Sequence, residues 1–267
     1  MSNLASKTIV AALLAGMCAA PAFAQSNGTP SSKATADINT LVKCTMTAVT
    51  SDDGDAVIPA SCVNLYTGAE VATENEWIPI MEKPMKLSNS QSLIVSPSLV
   101  TGLYTQTRTK TSTNSTSTAQ AMGGVYLRAV LVDDAGNEIV AAPLSSCAAG
   151  ILGCQEVDGG WGVQLDTRIQ TLTQSLSTCT VMDMTGTTQI GTCDFTSIID
   201  LVLNTTSAHT FNFIFPKVGQ GVYTLKIKAA VASDASVIGS GTAVGAAAFG
   251  LGSMIAESVR FVHDFEF

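Results

Sequence analysis

From residue 37 onward, short runs of alternating apolar and polar residues are separated by Gly, Asp, Asn and Pro, the period-two mark of half-buried strands. Residues 41–49 alternate imperfectly and predict a first strand, followed by the turn cluster Ser51-Asp52-Asp53-Gly54-Asp55 and a return strand near 56–65. Residues 69–84 hold Trp77, Ile78, Ile80 and Met81, but Pro79 and Pro84 break them into an irregular edge segment. Residues 92–100 are apolar and β-branched. In residues 104–118 threonine stands at nearly every second position with polar residues between, so neither face suits a dry core. With Asn114-Ser115 as its tip and a return through 119–132, this stretch predicts a long, wet hairpin that projects from the body or lies along it.

Residues 125–132 and 138–142 are joined by Asp133-Asp134-Ala135-Gly136-Asn137, a hairpin turn with Gly and Asn where positive φ is needed. Residues 161–176 alternate again, with Val163, Leu165, Thr167, Ile169 and Thr171 on one side. Residues 198–203 fit either a short helix or a strand. Residues 209–215 alternate aromatic and aliphatic side chains, and 216–221 turn the chain into 222–231, the best-defined hairpin in the sequence. Residues 233–254 are rich in Ala, Gly and Ser. Asp234 and the glycines oppose a membrane helix there, and the apolar stretch from Ala243 is too short to span. A second long hairpin of small side chains within 222–260 is expected instead, with 257–267 as a final strand. The pattern predicts an all-β fold: an antiparallel β-sandwich with two long hairpins and little helix, occupying 37–267 as one large domain or two sub-sandwiches.

Residues 1–24 read as a secretory signal: Lys7 in the n-region, an apolar run over 9–20, and Ala22-Phe23-Ala24 as a small-x-small cleavage site. The rival, a lipoprotein anchored through Cys18, wants a small residue before the cysteine and finds Met17. Residues 25–36 are polar and small, a mobile lead. The expected location is therefore extracytoplasmic, secreted or at the cell surface, with periplasm or outer membrane as further possibilities. Cleavage removes one lysine, so the net charge of −8 becomes −9. That balance opposes nucleic acid and anionic lipid, which both recruit Lys and Arg. No transmembrane helix is expected in the mature chain.

Six cysteines remain after export: Cys44, Cys62, Cys147, Cys154, Cys179 and Cys193. An even number in an exported chain implies disulfides. They fall into three sequence-local pairs, 44–62, 147–154 and 179–193, each flanking a turn-like stretch. No C-x-x-C pair occurs and neither histidine lies at ligand spacing from a cysteine, so no metal or cofactor is expected.

Catalytic candidates are sparse. His209 and His263 are the only histidines, and neither has a nucleophile context; His209 reads as a surface or capping residue at the start of a strand. Nothing singles out a carboxylate pair for glycoside hydrolysis. The acidic segments 52–55 and 133–138 offer oxygen ligands for calcium, yet both sit where turns want Asp and Gly. The chain is expected not to be an enzyme.

Residues 209–231, an apolar run, a Gly-containing turn and then Val222-Tyr223-Thr224-Leu225-Lys226-Ile227, resemble late strands of immunoglobulin-like sandwiches in exported bacterial proteins, which implies a fold class and no activity. Phe261, His263, Phe265 and Phe267 alternate at the terminus and look like the end of an outer-membrane barrel, although the aromatics are too few for two membrane girdles. The leading expectation is a surface or matrix protein that adheres or assembles through exposed β-hairpins, with itself, another extracellular protein or a glycan as partner. The alternatives are a soluble glycan- or protein-binding module, with Trp77 and Trp161 as stacking candidates, and the barrel.

Overall fold

The computed structural model describes residues 34–51, 76–177 and 196–260, together with 181–182 and 188–189. All the longer strands belong to one compact unit, residues 31–267. Two antiparallel sheets face one another. The first carries β1 (Ala34–Asn39), β2 (Lys43–Ser51), β4 (Gln91–Ser112), β11 (Thr196–Thr210), β12 (Phe213–Val218) and β14 (Ser240–Val259). The second carries β3 (Ile78–Leu87), β5 (Ser115–Asp133), β6 (Glu138–Val140), β7 (Cys154–Val157), β8 (Gly160–Leu176) and β13 (Gly221–Ile238). Among the described residues β9 (Val181–Met182) and β10 (Thr188–Gln189) pair only with each other. The described residues contain no α-helix, only a single 3₁₀ turn at Leu144–Ser146.

The two central strands of the first sheet are β4 and β14. β2 and β1 run in succession along the outer edge of β14, while β11 and β12 do the same along β4. In the second sheet the order is β3, β13, β5, β8 and β7, with β6 continuing the β8 side of β5. The alternative reading of residues 198–203 is resolved as strand, since they lie inside β11. The proline-bearing segment is an edge strand: among the described residues β3 pairs only with β13, and its ladder shifts between Ile227 and Lys228 opposite Pro79.

The two long strand–turn–strand excursions are present, yet their arms do not pair with each other as neighbouring strands of one sheet. β4 lies in the first sheet and β5 in the second, with the tip at Asn114, whose φ of 61° suits its small polar side chain. β13 and β14 likewise part at Gly239, φ 85°, into opposite sheets. The hairpin expected at 104–122, projecting from the body or lying along it, is thus corrected: its arms belong to different sheets, and both are interior strands with neighbours on each side. The 209–231 hairpin is corrected in the same way, because β12 joins the first sheet and β13 the second. The 133–137 turn does close a true hairpin, with Val130, Leu131 and Val132 opposite Val140, Ile139 and Glu138.

Large apolar side chains fill one half of the space between the sheets. Leu93, Val95, Leu99, Leu103, Leu127, Leu131, Phe213, Phe215, Leu225, Ile227 and Phe249 are all buried there. Toward the tips the filling becomes small and polar: Ala119, Ala121 and Ala243 form a separate cluster, and Thr105, Thr107, Thr109 and Thr111 are completely buried. The alternating threonines are therefore the interior face of β4, which corrects the expectation of a wet stretch: the face is fully buried, because Gln170 and Gln174 of β8 supply partners for its hydroxyls. In β8, the face expected to carry Val163 through Thr171 changes sides at Leu165, because the ladder with β5 shifts between Val125 and Tyr126. Beyond that bulge Asp166, Arg168, Gln170 and Gln174 point inward, and Ile169 is 62% exposed.

Cys147 and Cys154 form a disulfide with Cα atoms 5.6 Å apart, as their local spacing predicts. Cys44 lies buried in β2, while its expected partner Cys62, the pair Cys179–Cys193 and the terminal 261–267 lie outside the described residues. The double variant Cys147→Ser/Cys154→Ser opens so short a loop that it should lose only about 2 kcal/mol of stability. Urea unfolding of variant and parent, both without reductant, measures that loss; none at all would mean the bridge constrains nothing.

Candidate functional site

One flank of the sandwich is built from two edge strands, β8 and β11, that face each other across the interior. Above Val163, β8 has β5 as its only strand neighbour among the described residues, and β11 has only β4. Side chains from β8 reach across this seam to the first sheet. At its lower end Thr101 donates to Asp166 Oδ2 at 2.6 Å, Ser207 Oγ donates to the same oxygen at 3.2 Å, and His209 Nε2 lies 2.7 Å from Ser207 Oγ. His209 Nε2 is also 3.3 Å from Asp166 Oδ2.

Ser, His and Asp meet here without forming the relay of a hydrolase. In that relay the carboxylate holds one imidazole nitrogen and the hydroxyl faces the other. Here a single nitrogen, Nε2, faces both oxygens. The cluster is a clasp that ties β8 to β4 and β11. His209 stands at the end of β11 rather than at the start of a strand, and its partners Asp166 and Ser207 were not legible as such, being 43 and 2 residues away.

Above the clasp, Arg168 Nη2 donates to Thr205 Oγ1. Gln170 is satisfied at both ends of its amide: Oε1 accepts from Thr105 at 2.6 Å, and Nε2 donates to Thr107 Oγ1 at 2.7 Å and to the Leu201 carbonyl at 2.8 Å. Gln174 Oε1 accepts from Thr109 at 3.0 Å. The seam interior is thus a ladder of hydrogen bonds, as a buried polar layer requires, with Arg168 Nη1 as its one buried side-chain nitrogen lacking a partner among the described residues. The opposite flank has a clasp of its own, where Asp37 of β1 accepts from the Glu82 backbone N–H at 3.0 Å and pairs with Lys83 at 3.2 Å.

The outer margin of the seam differs in character. Ile198, Ile199, Leu201, Val202 and Leu203 of β11 are each between 40% and 50% exposed. Odd-numbered residues of β11 point toward β8 and even-numbered ones point outward, so apolar side chains crop out on both faces of an edge strand. Such an edge is an invitation to further strand pairing. The signal was in the sequence as the run Ile-Ile-Asp-Leu-Val-Leu, which read as helix or strand because it is apolar on both sides.

The other candidates are accounted for locally. The Asp133 carboxylate accepts from the backbone N–H groups of Ala135 and Asn137 and from Asn137 Nδ2, so the acidic turn is spent on its own closure. Glu138 pairs with Lys228 at 2.6 Å and Arg128 at 3.1 Å. Among the described residues no three His, Cys, Asp or Glu groups come together as metal ligands. Trp77 donates its indole N–H to the Val157 and Gly160 carbonyls, and its ring lies against Gly162, where a Cβ would come within 2.1 Å. Trp161 is half-buried in β8, and strand alternation turns it away from the face that Gly160, Gly162 and Trp77 share. The two tryptophans do not make one stacking platform. The 52–55 segment and His263 lie outside the described residues.

Three carboxyls are held below their ordinary range. For Glu138 the hydrogen bond from Lys228 leads, followed by the Lys228 and Arg128 charges, against a burial penalty. For Asp133 it is the Asn137 side chain and backbone. For Asp37 burial opposes the shift, but the Glu82 backbone and Lys83 overcome it. A depressed carboxyl contributes stability above its unfolded value and loses it as pH falls through the folded one. The urea midpoint should therefore hold above pH 4.5, the ordinary glutamate value, and fall as pH drops below it toward and past the aspartate value of 3.8. A midpoint that rises on acidification would contradict these pairings.

No helix among the described residues is long and apolar enough to cross a membrane. No protein-family model matches the chain, and no curated protein is significantly similar to it.

Proposed function

We propose that this is a non-enzymatic, exported surface or matrix protein that adheres or assembles by adding strands at a sheet edge. The observation that carries the reading is β11, an edge strand of 15 residues with five large apolar side chains exposed at its centre. Export rests on the signal-like residues 1–24. The device is the β11 edge rather than the two long excursions, which are spent inside the sandwich. The likeness of residues 209–231 to immunoglobulin-like sandwiches belongs to this reading and bears on architecture alone.

The binding-module alternative loses support from Trp77, whose ring and N–H are already engaged. The barrel alternative loses support from β4, which turns Leu99 and Leu103 inward and carries Tyr104, Gln106, Arg108 and Lys110 outward, the reverse of a lipid-facing strand. Fractionation of native protein, with a high-pH wash, compares the parent chain with Leu201→Lys. A charge in the middle of the edge should block strand addition and release the protein into the medium or wash. Equal retention of the two chains would remove the edge from the reading.

A further inference from the structure

We infer that the partner of β11 is β11 of a second copy of this chain, paired antiparallel about a two-fold axis through Leu201. The inference rests on the assembly reading above and names its partner. Directly opposed residues of an antiparallel pair share a face, so such an axis passes through a residue and not between two. Placing it at Leu201 sets Ile199 against Leu203 of the second copy and Leu201 against itself. Of all registers, this one alone gives each of the three inward apolar side chains an apolar partner. An axis at Val202 would oppose Ile199 to Thr205, and one at Leu203 would oppose it to Ser207. An axis at Asp200 would set two carboxylates face to face, whereas at Leu201 each Asp200 meets Val202.

Charge points the same way. The chain carries a net −8, so a second copy repels the first over most of its surface, but Asp200 is the only charged residue between Thr196 and Ala208. Along this edge a like-charged copy meets a single carboxylate on each chain, and the Leu201 axis keeps the two apart. The five side chains, 40% to 50% exposed, offer on the order of 400 Å² of apolar surface per copy, divided between the two faces of the strand, within the size range of the largest patch on an ordinary monomer. The backbone N–H and C=O groups along the side of β11 that no described strand pairs with add ladder hydrogen bonds, continuing the first sheet from one copy into the next.

Sedimentation of the mature chain, with Ile199→Lys, Leu203→Glu and their equimolar mixture, tests partner and register together. Both positions are more than 40% exposed, and far-UV circular dichroism with thermal unfolding checks that each variant folds. The parent should dimerise reversibly, and each single variant should associate about tenfold more weakly or worse. The mixture should recover a heterodimer, because the lysine introduced in one chain then opposes the glutamate introduced in the other. Single variants that associate like the parent would overturn the inference, and a mixture no better than its components would overturn the register. A parent that stays monomeric yet is retained at the surface would overturn the homotypic partner while leaving the proposed function standing. A parent neither associating nor retained would end both.

Discussion

Gly245→Ala, a change of one methyl group, is expected to cost about 3 kcal/mol of stability, as overpacking of a site that cannot relax does. Gly245 sits in β14 at the closest approach of the two sheets. A Cβ there would come within 2.2 Å of the Met122 carbonyl oxygen and 2.5 Å of that of Asp234. Met122 and Asp234 are opposite one another in the β5–β13 ladder, so neither backbone moves without breaking that pairing. Facing sheets ordinarily stand about 10 Å apart with side chains between them; here backbone meets backbone because Gly245, and Gly123 across from Ala246, have nothing to interpose. Gly250→Ala in the same strand is the control. Its Cβ would meet only Val42 Cγ2, at 3.8 Å, an ordinary contact, and its effect should stay within about 0.5 kcal/mol. Urea unfolding of both variants decides the matter, and equal midpoints would mean that the sheets are not in contact at Gly245.

Gln170→Ala is expected to be almost as damaging, at about 3 kcal/mol, for a chemical rather than a steric reason. It strips the partner from Thr105 and Thr107, both fully buried, and from the Leu201 carbonyl. Leaving buried polar groups unpaired costs more than the hydrogen bonds themselves contribute. The same asymmetry gives a check: Gln170→Leu combined with Thr105→Val and Thr107→Val should recover most of the loss, since only the Leu201 carbonyl then lacks its partner. Amide exchange should also quicken along β11 in the single variant, because Gln170 is one of the ties between that edge strand and β8, with Arg168 and Asp166. A Gln170→Ala chain with the stability of the parent would show that the polar layer is hydrated rather than closed. Thr118 and Thr173, which share a hydrogen bond of 3.1 Å on the exposed face, should each tolerate alanine within about 0.5 kcal/mol.

How far the candidate site was legible follows from the same residues. The Asp133 turn and the Cys147–Cys154 bridge were readable because each is closed by groups a few positions apart. The Asp166–Ser207–His209 clasp was not, because it joins strands from different sheets whose facing depends on a bulge at Leu165. His209 was noticed for its chemistry, but nothing in its neighbourhood announced a carboxylate 43 positions earlier. The apolar edge at 198–203 was visible as composition and ambiguous as structure. Whether such a run is buried or exposed depends on what lies beside it, and that is not a local property.

By itself, the sequence determined the strand-rich class, the tip at Asn114 and the local disulfide. Each of these follows from side-chain alternation, backbone freedom or short-range closure, which act over a few residues. The tertiary structure decided that the arms of each long excursion part into opposite sheets, that the threonine face turns inward, and that β11 is left at an edge. A period-two pattern defines two faces for a strand but not which is inner when both are polar. That choice was made by Gln170, Gln174, Asp166 and the bare backbone at Gly245, groups distant in sequence that fit β4 and β14 only once both sheets are in place.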